Sequence, residues 1–274
     1  MKVEGVTMSY LCGGTGHELL LMHGLGTYSA IWLPLMDRLA GSFSYMAPDL
    51  PGHGFSQKVP ETFSMDHLSN LILEFIRKMG MSNPLIIAHS FSCHPVMNAS
   101  PSLTVAGLVL LSPFLGKKEN LPWLKPVLSP ALGTFFRLKV NPDGIRKIFR
   151  ELVYEPDSLD EKMIGRILEP LDDDEKREGL LRLSCLIEDE FAGQISGMRG
   201  ASMPILFVAG RDDPLCDGKV LRSLSDQYGA KLLIIDRCGH FPQIERPVLL
   251  SQHLLGFPLP ARPRWVPKCS HDSR

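Results

Sequence analysis

Residues 84–95 read Pro-Leu-Ile-Ile-Ala-His-Ser-Phe-Ser-Cys-His-Pro. The apolar run Leu85–Ala88 behind Pro84 has the look of a strand buried on both faces, as in a parallel sheet. His94–Ala99 reads as a helix. Between them the chain must turn sharply at Ser90, and such a strand–turn–helix elbow tolerates only small residues two positions either side, here Ala88 and Ser92. The same rhythm extends outward. Strands are expected at Leu19–His23, Phe43–Pro48 and Ala106–Leu111, with helices at Ser29–Ala40 and from Met65 to about Gly80, the latter N-capped by Ser64. It resumes with strands at Pro204–Gly210 and Lys231–Asp236 and helices at Lys219–Tyr228 and Val248–Phe257. This alternation predicts an α/β fold with a mostly parallel central sheet and helices on both faces.

The rhythm breaks from about Leu115 to Leu186. Charge, helical spacing and Pro122, Pro126, Pro130, Pro142, Pro156 and Pro170 point to short helices there. The simplest division is a core at 1–114 and 187–258, a helical insertion at 115–186 and a surface extension at 259–274. Within the insertion, Asp172-Asp173-Asp174-Glu175 reads as a solvated helix start rather than a metal site.

Composition narrows the function classes. With 29 Lys and Arg against 30 Asp and Glu, the net charge of −1 gives no basic face for nucleic acid. The longest apolar run, Val105–Leu111 counting Gly107, is far short of the roughly 20 residues of a membrane span. The first ten residues contain no apolar signal core, so a cytoplasmic location is expected. Cys12, Cys93, Cys185, Cys216, Cys238 and Cys269 form no C-x-x-C pair; reduced, buried thiols are expected, and no metal site.

A serine hydroxyl needs a base to become a nucleophile and backbone N–H groups to hold the oxyanion it creates. In a parallel sheet these parts belong at the carboxyl edge of the strands. Ser90 lies there. The small-x-Ser-x-small pattern also fits Ser42, but Ser42 precedes a strand. Asp213, in Gly210-Arg211-Asp212-Asp213-Pro214, and His240, in Arg237-Cys238-Gly239-His240-Phe241, also follow strands. His23-Gly24-Leu25-Gly26 follows another, and its glycines let the backbone turn and present N–H groups. The chain order is Ser, Asp, His, the order associated with this sheet architecture.

With LLLMHGLG, APDLPGHGFS, IIAHSFS, VAGRDDPL and CGHFPQIERP in place, the chain resembles the α/β-hydrolase superfamily over about Leu19–Pro247, insertion excluded. The resemblance implies Ser90 as nucleophile, Asp213 as acid and His240 as base, with the backbone N–H groups of Leu25 and Phe91 as oxyanion donors. It casts the insertion as a cap over the site. It departs at Ala88 and Ser92, where the family usually has glycine. The run Gly24-Leu25-Gly26-Thr27-Tyr28-Ser29 departs from carbon–carbon hydrolases, and a serine nucleophile argues against haloalkane dehalogenation. The expected activity is hydrolysis of a carboxylic ester or thioester of a small, largely apolar substrate, without metal or organic cofactor. The alternatives are carbon–carbon bond hydrolysis or another cofactor-free reaction on the same triad, or a ligand-binding member of the fold without turnover. The expected pocket residues are His23, Gly24, Trp123, Phe136 and Phe149. His94 is expected to pack below the site. The sequence leaves the oligomeric state open.

Overall fold

A computed structural model describes residues 1–58, 63–114, 142–190, 203–261 and 265. Its strands are β1 (Lys2–Val3), β2 (Val6–Thr7), β3 (Tyr10–Gly14), β4 (His17–Met22), β5 (Phe43–Pro48), β6 (Leu85–His89), β7 (Gly107–Leu111), β8 (Ile205–Gly210) and β9 (Lys231–Ile235). β1 and β2 form a small antiparallel pair. The other strands lie in the order β3-β5-β4-β6-β7-β8-β9, with β3 antiparallel to β5 and every other neighbour parallel. Every residue of β6, β7 and β8 is buried. That burial is why these strands read as unbroken apolar runs.

The described α-helices are α1 (Leu33–Leu39), α2 (Met65–Met79), α3 (Cys93–Ala99), α4 (Pro142–Leu152), α5 (Glu161–Leu168), α6 (Asp174–Glu190), α7 (Gly218–Tyr228), α8 (Pro242–Glu245) and α9 (Pro247–Leu255). The Ser64 hydroxyl accepts the His67 N–H, the His67 ring returns a bond to the Ser64 N–H, and Gly80 closes α2 in the left-handed conformation. The helix expected over Ser29–Ala40 is split. Ser29–Trp32 forms a tighter 3₁₀ turn and α1 begins at Leu33, because Pro34 has no N–H to continue an α-helical ladder from Ala30. The strands β1–β3 were not expected; Tyr10–Gly14 ends in two glycines, which read as loop.

Three expectations need correction or limits. Cys12, half-buried on edge strand β3, is disulfide-bonded, so the expectation of reduced thiols fails there. Chain length and composition are averages over the molecule, whereas pairing depends only on which thiol comes within reach. Cys93, Cys216 and Cys238 are free and buried. The C-terminal segment is not wholly a surface extension. Trp265 pairs with Gly16, donates to its carbonyl at 3.1 Å, accepts from the Ser44 hydroxyl and packs against the core. Trp123 and Phe136 lie outside the described residues. No helix among the described residues is long and apolar enough to cross a membrane.

Candidate active site

Four loops leave the carboxyl ends of β4, β6, β8 and β9 and meet. At the end of β6 the chain reverses at Ser90, whose φ of 53° is left-handed and sterically unfavourable for a non-glycine residue. Such a turn lifts the hydroxyl off the sheet edge. Ala88 is fully buried beneath it. Ser92 is also fully buried, and its hydroxyl donates to the His23 carbonyl, tying the elbow to the loop after β4. The second departure from glycine thus supplies a bond that glycine lacks.

The loop after β8 places Asp213, and Asp212 is exposed beside it. The loop after β9 crosses directly over the end of β8. A Cβ on Gly210 would lie 2.1 Å from the Cys238 carbonyl oxygen and 2.2 Å from that of Gly239, so only glycine permits this crossing. The Asp212 N–H donates to Cys238 O at 3.0 Å. The Glu245 carboxylate accepts the N–H groups of Gly239, Phe241 and Tyr154, holding His240 between two bonded neighbours.

These loops join three side chains. The Ser90 hydroxyl lies 2.9 Å from His240 Nε2, and His240 Nδ1 lies 3.0 Å from both Asp213 oxygens. Because Nδ1 faces a carboxylate it carries the hydrogen, and Nε2 presents a lone pair to Ser90. All three residues are buried. Burial works to raise the Asp213 pKa. The His240 imidazole, with the Leu215 N–H and the nearby Ser112 hydroxyl, outweighs it and holds the carboxyl below its ordinary range. Ser112, itself left-handed at φ 46°, lies beside the carboxylate without closing a hydrogen bond of good geometry.

The loop after β4 reaches the elbow at Gly24, where a Cβ would stand 3.0 Å from Ser90 Cβ. The loop is braced by histidines. His23 donates from Nδ1 to Gly24 O and accepts the Leu50 N–H at Nε2, both at 2.8 Å. His23 was expected to line the pocket. It is fully buried with both ring nitrogens engaged, and it supports the loop instead. His53 Nε2 accepts the Gly26 N–H at 3.1 Å, and burial pushes its pKa down to about 4. Asp49 accepts the Ser29 and Phe55 N–H groups, at 2.8 and 3.0 Å. Leu25 directly follows Gly24 in the chain and Phe91 directly follows Ser90. Phe149 of α4 is buried and stacks on Phe241 at 4.8 Å, next to His240. His94 donates to Phe114 O at 2.8 Å.

Sequence reasoning passed over His89, Asp49, His53 and Glu245. The last three lie inside the APDLPGHGFS and CGHFPQIERP strings. Their acceptors for loop N–H groups were readable there only as motif letters.

Residues 19–252 match the model of the alpha/beta hydrolase family. The dihydrolipoyllysine-residue acetyltransferase component of the acetoin cleaving system of Pseudomonas putida is 26% identical over 258 residues, covering 90% of this chain; the chain spans 65% of that protein. The pimeloyl-(acyl-carrier protein) methyl ester esterase of Pectobacterium carotovorum subsp. carotovorum is 24% identical over 264 residues, or 92% of this chain and 98% of that protein. An alpha/beta hydrolase fold protein from Burkholderia ambifaria superposes with a TM-score of 0.81 at 21% identity, over 93% of this chain and 96% of the other.

Proposed function

The chain belongs to the alpha/beta hydrolase family, and on that premise we propose that this enzyme cleaves a carboxylic ester or thioester of a small, largely apolar substrate through an acyl-enzyme on Ser90. One observation carries the reading: the hydrogen-bonded chain from Ser90 through His240 to Asp213 at the meeting of three strand ends.

The steps follow from that geometry. Ser90 Oγ attacks the carbonyl carbon while its proton passes to His240 Nε2. Asp213 stabilises the resulting imidazolium and fixes the tautomer that leaves Nε2 free to accept. The Leu25 and Phe91 N–H groups hold the oxyanion. As the tetrahedral species collapses, the bond to the leaving alcohol or thiol breaks and His240 returns the proton to it. Water, deprotonated by His240, then attacks the acyl-enzyme, and Ser90 regains its hydrogen. No step draws on a metal or organic cofactor.

In this reading residues 115–186 are the cap that shapes the pocket. Support comes from its contacts with the site loops. Gly239 fits against the backbone of Leu152 and Val153, and the His240 N–H donates to Leu152 O at 2.7 Å. Leu180 of α6 approaches Gly26. Phe149 brings an aromatic face beside Phe241.

The test is labelling with a fluorophosphonate, followed by a panel of p-nitrophenyl esters and thioesters of increasing acyl length. Covalent capture on Ser90 with turnover of at least one ester class is expected. A folded protein that neither labels nor turns over any of them sinks the reading and favours the ligand-binding alternative.

A further inference from the structure

We propose that His89 is a positioning residue for His240, held in its working tautomer by the bond from its Nε2–H to the His240 main-chain carbonyl, with one buried water shared with Trp32 as the partner of its Nδ1. The inference rests on the serine-hydrolase reading. His89 sits between Ala88 and Ser90, yet its side chain points to the other end of the triad. Its Nε2 lies 2.8 Å from the main-chain carbonyl of His240, and the two rings are 5.0 Å apart. A carbonyl only accepts, so Nε2 carries the hydrogen and Nδ1 is left with a bare lone pair. Burial, with the His240 ring beside it, pushes the His89 pKa down to about 3, which keeps the imidazole neutral. One residue therefore couples the elbow that carries Ser90 to the loop that carries His240.

The lone pair on Nδ1 is the second half of the argument. Among the described residues it has no protein partner, although His89 is 1% exposed. The Trp32 ring meets His89 edge-on at 6.4 Å between centroids, is itself fully buried, and its Nε1–H is also unpartnered among the described residues. Gln243, fully buried in α8, has neither amide atom partnered among the described residues, and α8 packs on the Ser29–Trp32 turn. An indole offers only a donor, this imidazole nitrogen only an acceptor, and an amide both. Buried polar atoms left in such complementary sets are satisfied by ordered water. Such a water donates to His89 Nδ1 and accepts from Trp32 Nε1–H, while the tautomer itself is fixed by the His240 carbonyl, because the alternative tautomer would break that bond.

Two measurements test this, and the first does not depend on turnover. Nitrogen-15 spectra of histidine-labelled protein at neutral pH, with His89 identified by its loss in His89→Gln, are expected to show Nε2–H and a hydrogen-bonded Nδ1. In Trp32→Phe the Nδ1 resonance is expected to move towards that of an unbonded imidazole nitrogen. A protonated Nδ1 in the native protein, or an Nδ1 resonance indifferent to Trp32→Phe, overturns the proposal even if esters are turned over. The second compares variants of matched fold by circular dichroism. His89→Gln places an amide N–H where Nε2 stood, whereas His89→Leu does not. His89→Leu is expected to lose about 10- to 100-fold in kcat with KM little changed, the scale of a misplaced catalytic group. His89→Gln is expected to recover most of that loss. Equal losses in the two variants, or none in His89→Leu, overturn the positioning role. If His89→Leu does not fold, His89→Gln against His89→Asn, whose amide falls short of the His240 carbonyl, decides by the same ranking.

Discussion

Ser90 combines the reacting hydroxyl with a strained backbone. Its φ of 53° costs a non-glycine residue about 1 kcal/mol. Two replacements separate these roles. Ser90→Ala removes the hydroxyl and keeps the strain, while Ser90→Gly removes both. Both are expected to lose about 10³-fold or more in ester turnover. Ser90→Gly is expected to be the more stable of the two by several tenths to about 1 kcal/mol in denaturant unfolding, less the extra freedom glycine gives the unfolded chain. Ser42→Ala is the control and should keep native turnover. Ser90→Ala turning over at the native rate would remove the nucleophile assignment. The neighbouring pair Asp212 and Asp213 discriminates in the same way. Only Asp213 meets His240, and its carboxyl is held below the usual range, so it is ionised wherever the enzyme works. Asp213→Asn is expected to cost orders of magnitude in kcat and Asp212→Asn little, because an amide neither fixes the imidazole tautomer nor balances its charge. The reverse ranking at unchanged melting temperature would move the acid role to Asp212.

Among the elements of the proposed cap, α6 is the one that meets the Gly52 loop. A Cβ on Gly179 would lie 2.6 Å from Gly52 Cα and 3.0 Å from its carbonyl oxygen, so helix and loop meet backbone to backbone. Lys176 on the same helix donates to Ser56 O, and Lys58 faces Glu175 at 3.6 Å. Gly179→Ala therefore lifts α6 off the Gly52 loop, and Leu180 with it. The expected result is a change in kcat/KM for an octanoyl ester at least several-fold larger than for an acetyl ester, since one apolar side chain contributes roughly 1.5–3 kcal/mol against substrate. Equal effects on both esters would leave α6 a structural helix and place the pocket wall elsewhere. The sequence made the parallel strands legible because burial on both faces leaves nothing but apolar letters, as in Leu85–Ala88 and Gly107–Leu111. It made Ser90, Asp213 and His240 legible because each follows such a strand. It did not show β3, whose half-buried residues and glycines carry no alternation, nor that His23 turns inwards. It also missed Glu245 and His89. Their work is to bond main-chain atoms of neighbouring loops, and that depends on which loops meet rather than on local pattern.

Among the described residues burial pushes four histidines, His23, His53, His89 and His94, towards the neutral form, and this shapes the response to acid. His23, His53 and His89 are 0%, 4% and 1% exposed. Burial is the first cause of depression in each, pushing His53 down to about 4 and His89 to about 3, with His23 well below its ordinary value. The unfolded chain titrates them near 6.5. Between pH 6.5 and 4 the unfolded state therefore binds protons that the folded state refuses, and stability falls as pH falls. His53 and His89 each cost about 2 kcal/mol at pH 5 relative to pH 8, on the scale of 1.36 kcal/mol per pH unit below 6.5. Asp49 works in the opposite sense, because burial raises its pKa and its protonation on acidification relieves a buried charge. Asp213, with its depressed pKa, begins to cost stability only below about 4. Urea unfolding at pH 8, 7, 6 and 5 should show a flat upper range and a steep loss below about 6.5. His53→Gln, whose amide oxygen can still accept the Gly26 N–H, should reduce that slope by about one proton's worth, 1.36 kcal/mol per pH unit. Stability that holds level from pH 7 to 5, or an unchanged slope in His53→Gln, would mean that the buried imidazoles take up protons by local opening without unfolding the sheet. The loops around Ser90 would then open in acid while the core stays folded.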